Sequence, residues 1–320
     1  MTSSRQQEGS TALWINTGTV QAALFSIITF LKKTGVVADK NTAILVPKFT
    51  ATPMLQLLRK HCAPTINQAD NISIVLVKHV FGFPQKMDAI QSICTQRGIA
   101  LVEDCSDVLD VPSNDQVLGT FGLAAVYRPR SYSPFLSGGC LRTESNELYD
   151  HALETRRSCH ECLAATLQTF VNLLPNIGSL QYSRHVRALQ DMADATAEYA
   201  QLPNAFSFSA SNTLLKENIA RHHLDNYRFY RSSLEPLGFF DLLPKEEIIP
   251  LVLPLIGRKQ LLEEISVSLL SKGINVAWGR FDTNRNLFDP IFHDCLKLPI
   301  NQQIDRKKLT LIVDTIKGAS

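Results

Sequence analysis

Long apolar segments are what this chain most plainly lacks. The most apolar helical stretch, Ala22 to Leu31, is interrupted by Ser26 and Thr29 and is too short to span a bilayer. Residues 1–10 are polar and carry no hydrophobic segment, so neither a signal peptide nor a membrane anchor is expected, and a cytoplasmic location follows by default. An excess of one charge is also missing. Lys and Arg total 32 against 30 Asp and Glu, and no basic block stands out, which argues against nucleic acid or a membrane surface as partner. The seven cysteines are odd in number and scattered through apparent helices and strands, a pattern of reduced thiols rather than a disulfide framework. Cys159-His-Glu-Cys162 has a metal-like spacing, but a closed zinc site needs four ligands and no second pair follows at a usual interval. Two readings stay open there, a metal or a helical face with two small apolar thiols. Internal repeats and low-complexity segments are absent as well.

What is present is enough apolar material for a substantial core: 320 residues, 45% of them hydrophobic, suffice for one large domain and a smaller one. The chain is organised around Lys78 to Cys140. Within it, Ile99-Ala-Leu-Val-Glu-Asp is a branched apolar run ending in two carboxylates, as a buried parallel strand does when it delivers an acid to its carboxyl edge. Asp104 is therefore the first functional candidate. Ile74-Val-Leu-Val reads as a neighbouring buried strand, and Met87 to Arg97 has helical spacing with Gly98 as its stop. Strand, helix, strand and acid make one parallel crossover unit.

Around this unit the spacing predicts a short strand at Leu13-Trp-Ile, a turn at Asn16-Thr-Gly-Thr and a helix from Val20 to Lys33. Backbone amides at that turn suit a phosphate, though a plain capped helix explains the same residues. Further strands are expected at Ala43 to Val46, Ile72 to Val77, Thr120 to Tyr127 and Cys140 to Thr143, with a helix from about Pro53 to His61 and helical spacing from Glu144 to Ala200. A large domain over 1–201 is expected to give way to a small one over 202–320. The latter should hold a helix from about Asn212 to Leu234, strand Ile248 to Pro254, helix Lys259 to Ser271, strand Ile274 to Ala277 and helix Asp305 to Lys317.

His79-Val-Phe-Gly-Phe-Pro-Gln-Lys-Met-Asp-Ala-Ile, Ala100-Leu-Val-Glu-Asp-Cys-Ser-Asp and Leu118-Gly-Thr-Phe-Gly-Leu-Ala-Ala-Val-Tyr, in that order and spacing, resemble the core of the DegT-type sugar-nucleotide aminotransferases. Ile15-Asn-Thr-Gly-Thr-Val-Gln-Ala-Ala-Leu is similar to that family's phosphate loop, Ala43-Ile-Leu-Val-Pro-Lys-Phe-Thr to its next strand and turn, and Leu296-Lys-Leu-Pro-Ile to a segment before its last helix. The resemblance implies an α/β, three-layer fold of the aspartate-aminotransferase type with a mostly parallel sheet, plus a small C-terminal α/β domain. It also implies pyridoxal 5′-phosphate, a homodimeric active site and amino transfer to a keto-sugar nucleotide.

Residue by residue, the resemblance makes Asp104 the partner of the pyridinium nitrogen and places Gly18 and Thr19 in the phosphate site. The other positions are changed. The family's phosphate-contacting Ser falls on Arg128 and its Schiff-base Lys on Ser133, and Arg128 to Gly139 contains neither Lys nor His. A serine cannot form an internal aldimine, and it is a poor proton shuttle without a base beside it, so no catalytic residue is assigned. Asp107 stands where the family has Gln, adding a second carboxylate. The ring-stacking aromatic falls on Ala51, although Phe49 could fill that space. The family's Asn-x-Arg segment is not found, an additional strand and helix before Ile72 shrink to a short loop, and most of its N-terminal segment is missing, which weakens the inherited expectation of a dimer. His79 and Lys48 lie on other strand-end loops, either to intrude on the site or to be a hydrogen-bonded His and a solvated Lys. Arg128 and Arg130 either bind a phosphate or a nucleotide-sugar diphosphate, or pair with Asp104 and Asp107.

Two functional expectations follow. One is a degenerate homologue without conventional transaminase activity, serving as a binding or partner subunit in sugar-nucleotide or polysaccharide metabolism, as a homodimer or with an active relative. The other is an aminotransferase or dehydratase that holds pyridoxal or pyridoxamine phosphate noncovalently.

Overall fold

A computed structural model describes residues 12–68, 71–109, 118–128, 138–158, 198, 213–244, 248–301 and 304–319. The first part is built on a seven-stranded sheet. Its strands are β1 (Leu13–Thr17), β2 (Ala43–Leu45), β3 (Ala63–Thr65), β4 (Ile72–Lys78), β5 (Ala100–Cys105), β6 (Ala124–Tyr127) and β7 (Gly139–Thr143), in the spatial order β1-β7-β6-β5-β4-β2-β3. From β3 through β6 the strands are parallel, and β7 then runs antiparallel to both β6 and β1.

Side chains alternate across the sheet, and both faces are covered, so β4 and β5 read as unbroken apolar runs. Ile74, Leu76 and Val102 face helices α1 (Val20–Lys33), α2 (Thr52–His61) and α4 (Asn146–Ser158), meeting Leu24, Ile27, Leu58 and Leu148. Val75, Val77 and Leu101 face the other way, onto Met87, Ile90 and Cys94 of α3 (Met87–Arg97). The result is the expected three-layer architecture. The bounds of α1 and α3 fall where the sequence places them. Thr19 caps α1 by accepting from the Ala22 amide at 3.0 Å, and Gly98, at φ 66, ends α3 in the left-handed conformation that glycine adopts without penalty.

The second part is a three-stranded antiparallel sheet with order β8-β10-β9, formed by β8 (Val252–Ile256), β9 (Ala277–Asp282) and β10 (Phe292–Pro299). Helices α5 (Thr213–Leu234), α6 (Lys259–Ser271) and α7 (Arg306–Ala319) share its core. Phe81, in the 3-10 turn Val80–Gly82 after β4, and Phe83, which follows that turn, enter the core and meet Phe281 at ring-centroid separations of 6.1 and 4.9 Å. The Leu251 amide donates to the Phe81 carbonyl at 2.8 Å, so the turn after β4 joins the two parts.

Several sequence expectations need correction here. Ile248 to Pro250 lies outside any strand, and the strand begins at Val252. Ile274 is not in a strand; β9 runs Ala277–Asp282 with only Phe281 and Asp282 buried, and Trp278 and Arg280 line a cavity, so its apolar pattern is faint. β10 is a full central strand. The stretch before Ile72, expected to be only a short loop, holds the short strand β3; it is the sheet's edge, where the missing amide donor of Pro64 is tolerated. The expected domain boundary near Leu202, the helical spacing beyond Ser158 and the Cys159–Cys162 pair lie outside the described residues.

Candidate functional site

The carboxyl ends of β4 and β5 meet in register, Lys78 opposite Asp104, and this pairing builds the site. Lys78 Nζ lies 3.3 Å from Asp104 Oδ2, 3.2 Å from Asp107 Oδ2 and 2.9 Å from Ser106 Oγ. An ammonium has three N–H donors, and here each has an oxygen to meet. Asp104 is held from behind by the Ser106 amide at 2.9 Å, and Asp107 by the Phe81 amide at 3.4 Å. Burial opposes the charge on Lys78, but Asp104 and Asp107 outweigh it and hold its pKa above the ordinary lysine value. Burial likewise opposes ionisation of Asp104, and Lys78 and Ser106 outweigh that, so its carboxyl titrates below the usual range. The pair is therefore ionic.

Arg128 adds positive potential to both groups from farther away. The expectation that Arg128 itself pairs with Asp104 and Asp107 is thus corrected: among the described residues, their ion-pair partner is Lys78. Arg130 and Ser133 lie outside the described residues. Nothing in the sequence reading singled out Lys78. The usable signal was that two adjacent apolar runs, Ile72–Lys78 and Ala100–Cys105, end at the same sheet edge with opposite charges.

Behind this cluster sits a second, closed network. Glu103, fully buried, accepts from the Phe121 amide at 2.8 Å and the Gly122 amide at 3.3 Å through Oε1, and from the Gly119 amide at 2.9 Å through Oε2. His79 Nε2 lies 3.1 Å from Oε2, while the Gln85 amide points at Nδ1 from 3.2 Å. A backbone amide only donates, so Nδ1 accepts and Nε2 carries the hydrogen bonded to Glu103. His79 is thus a hydrogen-bonded strand-end histidine. His79, Glu103 and Cys105 bring one potential metal-ligating atom each within 4.8 Å of one another, but the histidine and the carboxylate are already engaged. Lys48 is exposed, with its Nζ 5.8 Å from the Phe49 ring centroid.

In front of the cluster a cavity of about 730 Å³ opens between the sheet edge and β9–β10. Lys78, Asp107, Phe49, Trp278, Arg280 and Lys297 form part of its wall; Asp104 does not reach it. The Phe49 and Trp278 side chains are among the large apolar groups left exposed. Arg280 is bonded to Asp294 at 3.0 Å and lies 4.9 Å from the Phe49 ring centroid. Lys297 Nζ lies 5.3 Å from the Phe81 centroid and, among the described residues, has no carboxylate within ion-pair distance. Phe81 adopts φ 59, an unusual backbone for an aromatic residue, and this strained turn sets its ring between the small-part core and the cavity.

The residues present fit a pyridoxal cofactor poorly. Its ring nitrogen would have to approach the Asp104 carboxylate from the cavity, and Lys78 stands there with all its donors used. Lys78 does not offer a Schiff-base nucleophile either, because its ion pairs with Asp104 and Asp107 hold it as an ammonium without a nucleophilic lone pair. Gly18 and Thr19 are buried at the start of α1. The Thr19 hydroxyl caps Ala22 while the Thr17 hydroxyl donates to the Thr19 carbonyl at 2.7 Å, and the backbone of Gly139 packs against them. Phe49 lines the same cavity as Lys78.

Comparison with known proteins agrees with this architecture. The DegT/DnrJ/EryC1/StrS aminotransferase family matches residues 53–179. GDP-perosamine synthase of Vibrio cholerae is 25% identical over 143 residues, a match covering 40% of this chain and 39% of that protein's length. Among solved structures, the Helicobacter pylori aminotransferase involved in the biosynthesis of pseudoaminic acid superposes with a TM-score of 0.62 at 12% identity, covering 96% of this chain and 86% of the other. A sugar aminotransferase from Micromonospora echinospora gives 0.62 at 14% identity, covering 95% and 87%. At such identities the structural likeness concerns the fold. Among the described residues no helix is long and apolar enough to cross a membrane. Residues 53–179 are similar in sequence to the DegT/DnrJ/EryC1/StrS aminotransferase family, and along nearly its whole length the chain has the fold of the solved sugar aminotransferases.

Proposed function

We propose that this chain binds a nucleotide sugar without transaminating it, and serves as a binding or partner subunit in sugar-nucleotide metabolism. The observation that carries this reading is the Lys78–Asp104–Asp107 cluster. It occupies the place where a cofactor ring would need a free carboxylate, yet leaves the 730 Å³ cavity in front of it open. The cavity wall suits such a ligand. Trp278 and Phe49 offer exposed aromatic faces for a base or the apolar face of a sugar, and stacking of this kind is worth about 1–3 kcal/mol per base. Lys297 and Arg280 offer cationic donors for a diphosphate, Lys297 being free of any carboxylate among the described residues.

The test has two arms. Purified protein titrated with pyridoxal phosphate, reduced with borohydride and weighed intact, is expected to show neither a visible band nor added mass. Calorimetry with a nucleoside-diphosphate sugar is expected to show saturable binding that Trp278→Ala weakens roughly tenfold. A visible band with covalent mass on a lysine would refute the reading. A band without covalent mass would instead favour the noncovalent enzyme.

A further inference from the structure

We infer that Lys78 is an internal counter-ion filling a cation-accepting pocket at the end of β5, and that shortening it creates a site for an external small organic cation with a protonated nitrogen. Three oxygens converge on one point in space: Asp104 Oδ2 at 3.3 Å, Asp107 Oδ2 at 3.2 Å and Ser106 Oγ at 2.9 Å from Nζ. Each of the three groups also has a partner other than Lys78, the Ser106 hydroxyl through its hydrogen bond to the Asp104 carboxylate. Asp104 is fixed by the Ser106 amide and by its place in the β4–β5 ladder, and Asp107 is tethered to the Phe81 amide. Truncation at Cβ would therefore leave two carboxylates and a hydroxyl still aimed at the vacated point. It would also open a channel to them, because Lys78 itself lines the 730 Å³ cavity.

An unpaired buried carboxylate is strongly unfavourable and draws in a cation or a proton. Arg128 is close enough to influence Asp104 but is not bonded to it, so its charge does not fill the gap. The ligand class follows from the shape of what is removed: an ammonium on a short alkyl stem, or a protonated pyridine ring whose N–H takes the place of Nζ. In the wild-type protein the lysine, tethered to its own strand, competes at an effective concentration no free ligand reaches. This inference rests on the reading that the wild-type site carries no pyridoxal cofactor, and it is tested separately from it.

The experiment compares the full-length wild type, Lys78→Ala and Lys78→Ala/Asp104→Asn by thermal melting. Ethylammonium chloride is added against sodium chloride and tetramethylammonium chloride at matched ionic strength. Lys78→Ala is expected to melt below the wild type and to recover selectively in ethylammonium, by roughly 2–3 °C for each tenfold rise in concentration above its dissociation constant. The wild type and the double variant should not respond. In the second arm, Lys78→Ala should bind pyridoxamine 5′-phosphate with a spectral change, whereas the wild type should not. An ethylammonium response in the wild type equal to that of Lys78→Ala would overturn the inference, as would a folded Lys78→Ala that ignores both ligands. Should Lys78→Ala not hold its fold in sodium buffer, refolding yield in ethylammonium against sodium becomes the readout, and equal yields would refute the inference. Pyridoxamine phosphate binding to the wild type together with a selective ethylammonium response in Lys78→Ala would sink the proposed function while leaving the pocket assignment intact.

Discussion

Glu103→Gln is nearly isosteric, yet it should be among the most damaging single changes near the site. The carboxylate is fully buried, and each oxygen receives two donors: Oε1 those of Phe121 and Gly122, Oε2 those of Gly119 and His79. A glutamine keeps one acceptor oxygen and replaces the other with an NH2 group. In either orientation that group faces two N–H donors that have lost their partner. His79 cannot adapt by shifting its hydrogen to Nδ1, because the Gln85 amide already points there at 3.2 Å. Two orphaned buried donors cost about 1–3 kcal/mol each, so the variant should lose about 2–6 kcal/mol, a large share of the usual 5–15 kcal/mol of a folded domain. Urea unfolding followed by circular dichroism measures the loss. Amide exchange should place it locally, with Gly119, Phe121 and Gly122 exchanging faster than the amides of α1. A loss below about 1 kcal/mol would mean that water or a rotated side chain satisfies those amides, and the closed-network account of Glu103 would be wrong.

Other outcomes follow from the same geometry. Gly139→Ala would drive its Cβ into the backbone of Thr19 and Val20, neither of which can move without breaking the start of α1, so a loss of about 3 kcal/mol or more is expected in denaturant unfolding. The Lys78–Asp104 pair sets opposite pH limits. The carboxyl is depressed below 3.8, so its stabilisation is present above that pH and fades as pH falls through the folded value; the ammonium is raised above 10.5, so its share is present below that pH and fades as pH rises further. Melting temperature against pH should show both limbs in the wild type, and a Lys78→Met/Asp104→Asn variant retaining them would contradict the assignment. Lys297→Ala should weaken nucleoside-diphosphate sugar binding and reduce its salt dependence while leaving the melting temperature of the free protein within about 1 °C.

Much of this protein was legible in its residues because the signals were local. An unbroken apolar run such as Ile74–Val77 has to be a strand covered on both faces, Thr19 and Gly98 are residues whose backbone and side-chain chemistry starts and stops helices, and an acid closing such a run lands at a sheet edge. The position of Asp104 near the end of β5 was legible that way, and the resemblance in the order of motifs added the three-layer fold. What the lysine at the end of β4 does could not be read so, since a terminal lysine on a strand ordinarily reaches into water. Only the parallel register of β4 against β5 sets Lys78 beside Asp104, and only the turn after β5 turns Asp107 and Ser106 back toward it. β9 and β10 were harder to place: only Phe281 and Asp282 of β9 are buried, and the alternation of β10 is confined to Leu296–Pro299, so the apolar signal in each is short. Backbone propensity and burial act over a few neighbours and leave a pattern in the sequence. Charge pairing across a sheet edge depends on distance in space, and tertiary structure alone decides it.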